Sequence, residues 1–231
     1  MDAAEIDHYL TDIADAKLGN IEVYAGLEVD FIPGIISPID FKPLLDYTIG
    51  SVHFIGGPPN HGFEIDGPFD TFMAGLKNIY KGNIRAAATA YQEITREMIR
   101  TGRPDIVGHL DKIKIQNRYG DLFREDEGWW INEIDKTLDE IAAYDCILEV
   151  NTRGIYQRKS ENTYPSPWVL LKAKARNIRI TLSSDAHLKS DLTAEFASTA
   201  AILMQLGYTE IHILSQGKWT PSRFNENGLI S

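Results

Sequence analysis

The chain has 231 residues, of which 43% are hydrophobic and 24% charged, so it is long and apolar enough for one sizeable core and is not an intrinsically disordered chain. Asp and Glu total 33 against 23 Lys and Arg, a formal net charge of −10 that excludes a basic nucleic-acid footprint and nonspecific attraction to anionic membranes. A single cysteine, Cys146, excludes a disulfide framework and a Cys-rich zinc module; in the run Cys146-Ile147-Leu148 it reads as a buried thiol.

The N-terminus, Met1 to Asp7, is acidic and lacks the basic-then-apolar pattern of a signal peptide, and no apolar stretch is long enough to span a bilayer. A cytoplasmic protein is expected. Ile21 to Glu28 reads as a strand, and Tyr47 to Phe54 as a second. Asp70 is placed to cap a helical stretch that breaks near Lys81-Gly82-Asn83 and runs to Arg100, where Gly102 and Pro104 stop it. Ile106 to His109 is a short strand. Trp130, Ile131, Ile134, Leu138, Ile141 and Ala142 have helical spacing. Ile147 to Asn151 is a strand, Ser166-Pro167 opens a helix, Ile178 to Leu182 is a strand, Leu192 to Leu206 a helix and Glu210 to Leu214 a last strand. Strand-helix alternation predicts an α/β fold with a parallel sheet. Without an internal repeat or linker, residues 1–231 are expected to form a single domain. The polar ends of short strands favour a barrel-like arrangement with its site at those ends.

Chemistry-bearing residues fall at the strand ends. Glu28 closes the first, His53 the second and His109 the third; Glu149 and Asn151 end the fourth, and Asp185 and His187 follow the fifth. In a parallel barrel those ends converge, and imidazole with carboxylate suits Zn, Mn or Fe. A lone histidine at a strand end is more often structural, but two at successive ends, with Asp-x-His after a later one, favour a metal site. His8 and His212 read as bland, on a polar helix and midway along a strand. His61, in a Gly/Pro-rich loop, is as readily solvated as functional.

Gly26-Leu27-Glu28-Val29-Asp30-Phe31-Ile32-Pro33-Gly34, Ile49 to Ile55, Gly108-His109-Leu110-Asp111, Glu149-Val150-Asn151-Thr152 and Ser183-Ser184-Asp185-Ala186-His187 occur in the order of the PHP (polymerase and histidinol phosphatase) family. The chain resembles the histidinol-phosphatase branch from about Glu22 to Lys218 more than the polymerase-associated branch. The resemblance implies a distorted (β/α)7 TIM-like barrel with up to three divalent ions. It makes Glu28 a bridging carboxylate, with His53 and His109 sharing the second ion. Asp185 completes the first site and His187 the third, and both count among the catalytic residues. The expected reaction is hydrolysis of L-histidinol phosphate, a step of histidine biosynthesis, by in-line attack on phosphorus while the ions neutralise the phosphoryl oxygens.

The sequence departs from the family in one respect. Its opening strand ending in His-x-His, and a second strand ending in a further His, have no counterpart here, so roughly two strand-helix units of the barrel are missing. This leaves Glu28, His53 and His109 as the complete ligand set, enough for a catalytic site with water in the open position. A fragment, or a truncated paralogue, is therefore expected. So are exposed sheet edges through which a homo-oligomer can form. The alternatives are an inactive metal-binding or interaction module, or another phosphoesterase of the family. A nuclease is disfavoured by the charge.

Arg153 and Arg158 follow a strand end and are candidates for phosphate binding, against a reading as surface charge. Lys112, Lys114 and Arg118 form a basic cluster that either steers an anion or is a solvated face. Tyr164 to Trp168 reads chiefly as a staple for the helix that follows, and Trp129 and Trp130 as packing.

Overall fold

Residues 5–57, 61–117 and 120–230 are described by the computed structural model. Helix α1 (Ile6–Ala16) buries none of its residues. It is tied to the sheet by the Tyr9 hydroxyl, which donates to the Gly26 carbonyl at 2.6 Å. Strand β1 (Gly26–Asp30) follows, then the short capped helix α2 (Pro38–Phe41) and strand β2 (Tyr47–Ser51). β3 (Phe54–Ile55) and β4 (Phe63–Glu64) make a small antiparallel pair. Helices α3 (Phe69–Tyr80) and α4 (Ile84–Glu97) lead to β5 (Ile106–Val107). α5 (Gly128–Ala143), β6 (Ile147–Asn151), α6 (Arg153–Tyr156), α7 (Pro167–Ala175), β7 (Ile180–Ser183) and α8 (Phe196–Gln205) continue the alternation. β8 (Glu210–Ser215), β9 (Lys218–Asn225) and β10 (Gly228–Leu229) end it.

The centre is a five-stranded sheet in the order β1-β2-β5-β6-β7, parallel throughout. This is a mixed α/β fold with a parallel central sheet. Every residue of β6 is buried, as a strand covered on both faces requires. α5 turns Trp130, Ile134, Leu138 and Ile141 into the core, all at 0% exposure, which matches their helical spacing. α4 meets α5 through a buried polar seam. There Arg96 donates to Glu133 at 2.8 Å, and the Thr137 hydroxyl donates to Gln92 at 2.8 Å. Both polar partners are satisfied, so the seam is compatible with burial.

Several boundaries moved, each because pairing or packing overruled pattern. β1 begins at Gly26 rather than Ile21 because its ladder partner begins only at Tyr47. The preceding stretch instead serves the C-terminal hairpin, with the Tyr24 hydroxyl accepting from Gly217 N–H at 3.0 Å. The break near Lys81 is real: Lys81 is left-handed at φ 54°, and Asn83 rather than Asp70 supplies a side-chain cap, to α4. The helix expected from Leu192 starts at Phe196.

Glu210–Ser215 is a strand, but it pairs antiparallel with β9 and belongs to a separate three-stranded sheet. Pro221 within β9 hides that strand from a sequence pattern. β1 and β7 are the two edges of the five-stranded sheet. Among the described residues, no helix is long and apolar enough to cross a membrane.

Cys146 is buried, and that burial pushes its thiol up to about 11. We expect the native protein to resist Ellman's reagent at about pH 8 while the unfolded chain reacts at once, since the thiolate is the reactive form. Stoichiometric labelling of the native state within seconds would contradict this placement.

Candidate metal centre

The carboxyl ends of the parallel strands carry the site. Glu28 projects from β1, His53 follows β2, His109 follows β5, Asn151 ends β6 and Asp185 follows β7. Gly108 lets the third of these approach. A Cβ there would sit 2.4 Å from Ser51 Oγ and 3.1 Å from Ile49 Cγ2, so only glycine allows β5 to close on β2 at this level. The residues after the strands are turned sharply, with φ of 20° at His109 and 49° at Asp185. Positive φ is costly in residues with a Cβ, and such cost is concentrated at sites where side-chain placement matters.

Glu28, His53 and His109 offer ligand atoms that all lie within 4.8 Å of one another. Glu28 Oε1 is 2.9 Å from His109 Nε2 and 3.8 Å from His53 Nε2. Donors about 2.1 Å from one ion in tetrahedral array lie roughly 3.4 Å apart, so the observed spacings bracket what a zinc-like ion needs. Two imidazoles and a carboxylate are also a fitting donor set for such an ion. The second shell is present too. His53 Nδ1 is hydrogen-bonded to Asp30, which aims Nε2 at Glu28. Glu149 accepts the His109 backbone N–H at 2.8 Å. Partners of this kind fix ligand orientation.

The electrostatics of the cluster differ from group to group. Burial would raise the Glu28 pKa, but the His109 hydrogen bond and the charges of His109 and His53 outweigh it and hold the carboxyl well below the usual range. Burial alone would lower His53, and the Asp30 hydrogen bond and charge reverse that, so its pKa is raised. His109 is 1% exposed; burial, with Lys112 adding to it, outweighs Glu28 and lowers its pKa, favouring the neutral imidazole that a metal requires. Burial pushes Glu149 up to about 7, with the charge of Glu28 adding to it.

A second group lines the same cleft of about 390 Å³. Asp185 lies 3.3 Å from His187 Nε2, accepts from Asn151 Nδ2 at 3.3 Å and has Arg153 Nη1 at 3.7 Å. Arg153 also donates to the Asp185 carbonyl, and the Tyr156 hydroxyl donates to Ser184 at 2.9 Å. His187 is largely exposed, at 69%. Glu28, His53 and His109 are thus brought together, while Asp185 and His187 pair with each other and share the mouth with them.

Arg158 lines a neighbouring cleft with Lys114 and Glu125, whereas Arg153 lines the mouth. Lys112 is neither free nor solvated: it pairs with Asp66 at 3.1 Å on the wall of the mouth. Lys114 is buried against Asp111 at 2.8 Å, a third outcome beyond steering or solvation. Arg118 lies outside the described residues. His8 is exposed on α1 and His212 half-buried within β8, in keeping with their bland reading. His61 is exposed and does not line the mouth. The Trp168 indole N–H donates to Glu125 at 2.6 Å, and Trp130 is core.

Two acidic residues of the site escaped the sequence. Asp30 was discoverable, because it stands two residues from Glu28 on one strand and so on the same face. Asp66, 3.9 Å from His53 Nε2, lies in a loop with no periodic signal.

Fold and site together define a class: a parallel α/β protein with an imidazole–carboxylate cluster able to hold a metal ion at the carboxyl ends of its strands. No family model matches the chain. Its relatives are histidinol-phosphatases. It is 27% identical over 219 residues to the probable histidinol-phosphatase of Deinococcus radiodurans, covering 90% of this chain and 75% of that one. It is 26% identical over 205 residues to the histidinol-phosphatase of Bacillus subtilis, covering 83% and 74%.

Two solved structures share the fold. One, from Listeria monocytogenes, was solved as a candidate histidinol phosphatase and superposes with a TM-score of 0.73 at 21% identity, over 86% of this chain and 77% of that one. The other is the histidinol phosphate phosphatase of Lactococcus lactis, solved with zinc, L-histidinol and phosphate. It gives 0.65 at 19% identity, over 95% and 80%. The resemblance to PHP-type histidinol-phosphatases, read first from the strand-end motifs, is carried by these relatives.

Proposed function

We propose that this chain is a metal-dependent phosphomonoesterase that hydrolyses L-histidinol phosphate to L-histidinol and inorganic phosphate. The observation that carries the reading is the convergence of Glu28, His53 and His109 at the mouth of the sheet. The substrate is taken from the relatives. A divalent ion held by these three residues would activate water at neutral pH and offset phosphoryl charge.

The chain's own residues do the remaining work. Asp30 and Glu149 hold the two histidines in place. Arg153, at the wall of the mouth, supplies guanidinium N–H groups to the phosphoryl oxygens. Asp185 orients His187 through Nε2, and the imidazole serves as general acid toward the leaving oxygen. The same reading extends to a single domain over 1–231, to a sheet curved as in a distorted (β/α)7 barrel, and to self-association along the unpaired edge of β1.

The test is phosphate release from L-histidinol phosphate, with elemental analysis on the same sample. Turnover that EDTA abolishes and Zn, Mn or Fe restores is the expected result. Bound metal without turnover would leave a binding module instead. Arg153→Ala is expected to raise KM about tenfold while Arg158→Ala stays within about twofold, since a charge-assisted contact is worth about 1.5–3 kcal/mol. The reverse order would return the phosphate role to Arg158.

A further inference from the structure

A tight helical turn, Lys112–Gln116, comes soon after His109. The Lys112 N–H donates to the His109 carbonyl at 2.9 Å, which fixes where the turn starts. Side chains three apart eclipse in such a turn, so Lys112 shares a face with Ile115. Both line the mouth, while Ile113 and Lys114 between them are buried. The Lys112 side chain is only 12% exposed, and an ammonium so placed needs a partner. Asp66 is that partner at 3.1 Å, and Asp66 in turn lies 3.9 Å from His53 Nε2.

Among the described residues, Asp66 is the one carboxylate within ion-pair distance of Lys112. An ammonium has three N–H donors, so donors remain for a ligand. The mouth also carries the carboxylates Glu28, Asp30 and Asp185, which repel a phosphomonoester. Cations of the wall must offset that repulsion. Arg153 enters after β6 and Lys112 after β5, two neighbouring strands. Lys159, the remaining cation of the lining, is exposed. Lys112 is instead held by its burial and its partner. A fixed charge aimed where negative charge grows costs no reorganisation during reaction.

We propose that Lys112 is a catalytic residue whose ammonium donates to a non-bridging phosphoryl oxygen as charge builds there, with Asp66 holding it in position. It rests on the phosphatase reading above. In that reaction the oxygen of water bonds to phosphorus as the ester P–O bond breaks. The electron pair of the broken bond leaves on the alcohol oxygen, which takes a proton from His187. The attacking water keeps one proton on the phosphate and returns the other to His187 through solvent. Lys112 keeps its protons throughout.

The experiment compares Lys112→Met, Lys112→Arg and the double variant Lys112→Met with Asp66→Asn. Lys112→Met is expected to lower kcat on L-histidinol phosphate roughly 10²-fold, with KM within about threefold, as loss of one preorganised donor does. Lys112→Arg keeps the charge and should stay within about tenfold of the unaltered chain. By calorimetry on the metal-loaded proteins, orthovanadate should bind Lys112→Met roughly 10²-fold more weakly, with metal content by elemental analysis within about twofold. The double variant has no stranded carboxylate, so its kcat should remain as low as that of Lys112→Met, and it serves in place of the single variant if that one fails to fold. Recovery of kcat to the unaltered level in the double variant would make Lys112 a structural partner of Asp66 and overturn the assignment. So would a loss of turnover matched by a loss of metal. An unaltered chain that releases phosphate, with Lys112→Met releasing it equally fast, fails only the Lys112 assignment. An unaltered chain that neither releases phosphate nor binds orthovanadate fails the function reading, and the assignment with it.

Discussion

Glu28→Ala is expected to strip the bound ion and to lower turnover on the order of 10³-fold. The carboxylate is the one group that faces both imidazoles, at 2.9 Å from His109 and 3.8 Å from His53. Without it the ion keeps two neutral ligands and loses the only negative charge of the set. A Lewis-acidic ion contributes several kcal/mol to charge stabilisation in a phosphoryl transition state, and roughly 1.4 kcal/mol corresponds to each tenfold in rate. His53→Ala and His109→Ala should each lower metal content as well. Elemental analysis of the purified variants, with turnover on the same samples, checks this. Full metal content in both Glu28→Ala and His109→Ala would remove these residues from the centre, and turnover surviving His53→Ala would move the chemistry elsewhere.

The second large effect concerns stability. Lys114, at the wall of the cleft beside the mouth, has its ammonium 2.8 Å from Asp111 Oδ2 and 2.9 Å from the Thr163 carbonyl, and it donates to Ser166 Oγ. Asp111 is 0% exposed, and its Oδ2 also accepts the Ser166 N–H at 2.9 Å. The pair therefore stitches the segment after His109 to the stretch that opens α7. Lys114→Met leaves a carboxylate buried without its counter-charge and is expected to cost about 3–5 kcal/mol. Adding Asp111→Asn to that variant removes the stranded charge and should restore a large part of the loss, because residues in direct contact do not act additively. Urea unfolding of the wild type, both single variants and the double variant measures the cycle. A loss below about 0.5 kcal/mol for Lys114→Met would show the pair to behave like an exposed one.

The sequence carried the site's candidate ligands further than it carried their surroundings. Glu28, His53 and His109 were legible because a parallel sheet places successive strand ends side by side, so residue type at those ends is enough to suggest a cluster. Strand β6 and helices α5 and α7 were legible for a related reason, since their periodicity or Pro placement reports local structure directly. The antiparallel partnership of β8 with β9 was not legible, because pairing is a property of two segments and Pro221 masks the second. Lys114 shows the same limit: a lysine between lysines reads as surface, and its burial depends on Asp111 and Ser166 lying against it.

By itself the sequence determined the chemistry available to this protein. It set the alternation that makes a parallel sheet, the donor types at its strand ends and the net charge of −10. Only the tertiary structure decided which donors meet, that Arg153 rather than Arg158 lines the mouth, and that Lys112 is held beside Asp66 on its wall. The reason is range: periodicity and capping act over a few residues along the chain, whereas a ligand set is assembled from groups such as Glu28 and His109, 81 positions apart, whose distance is fixed by packing.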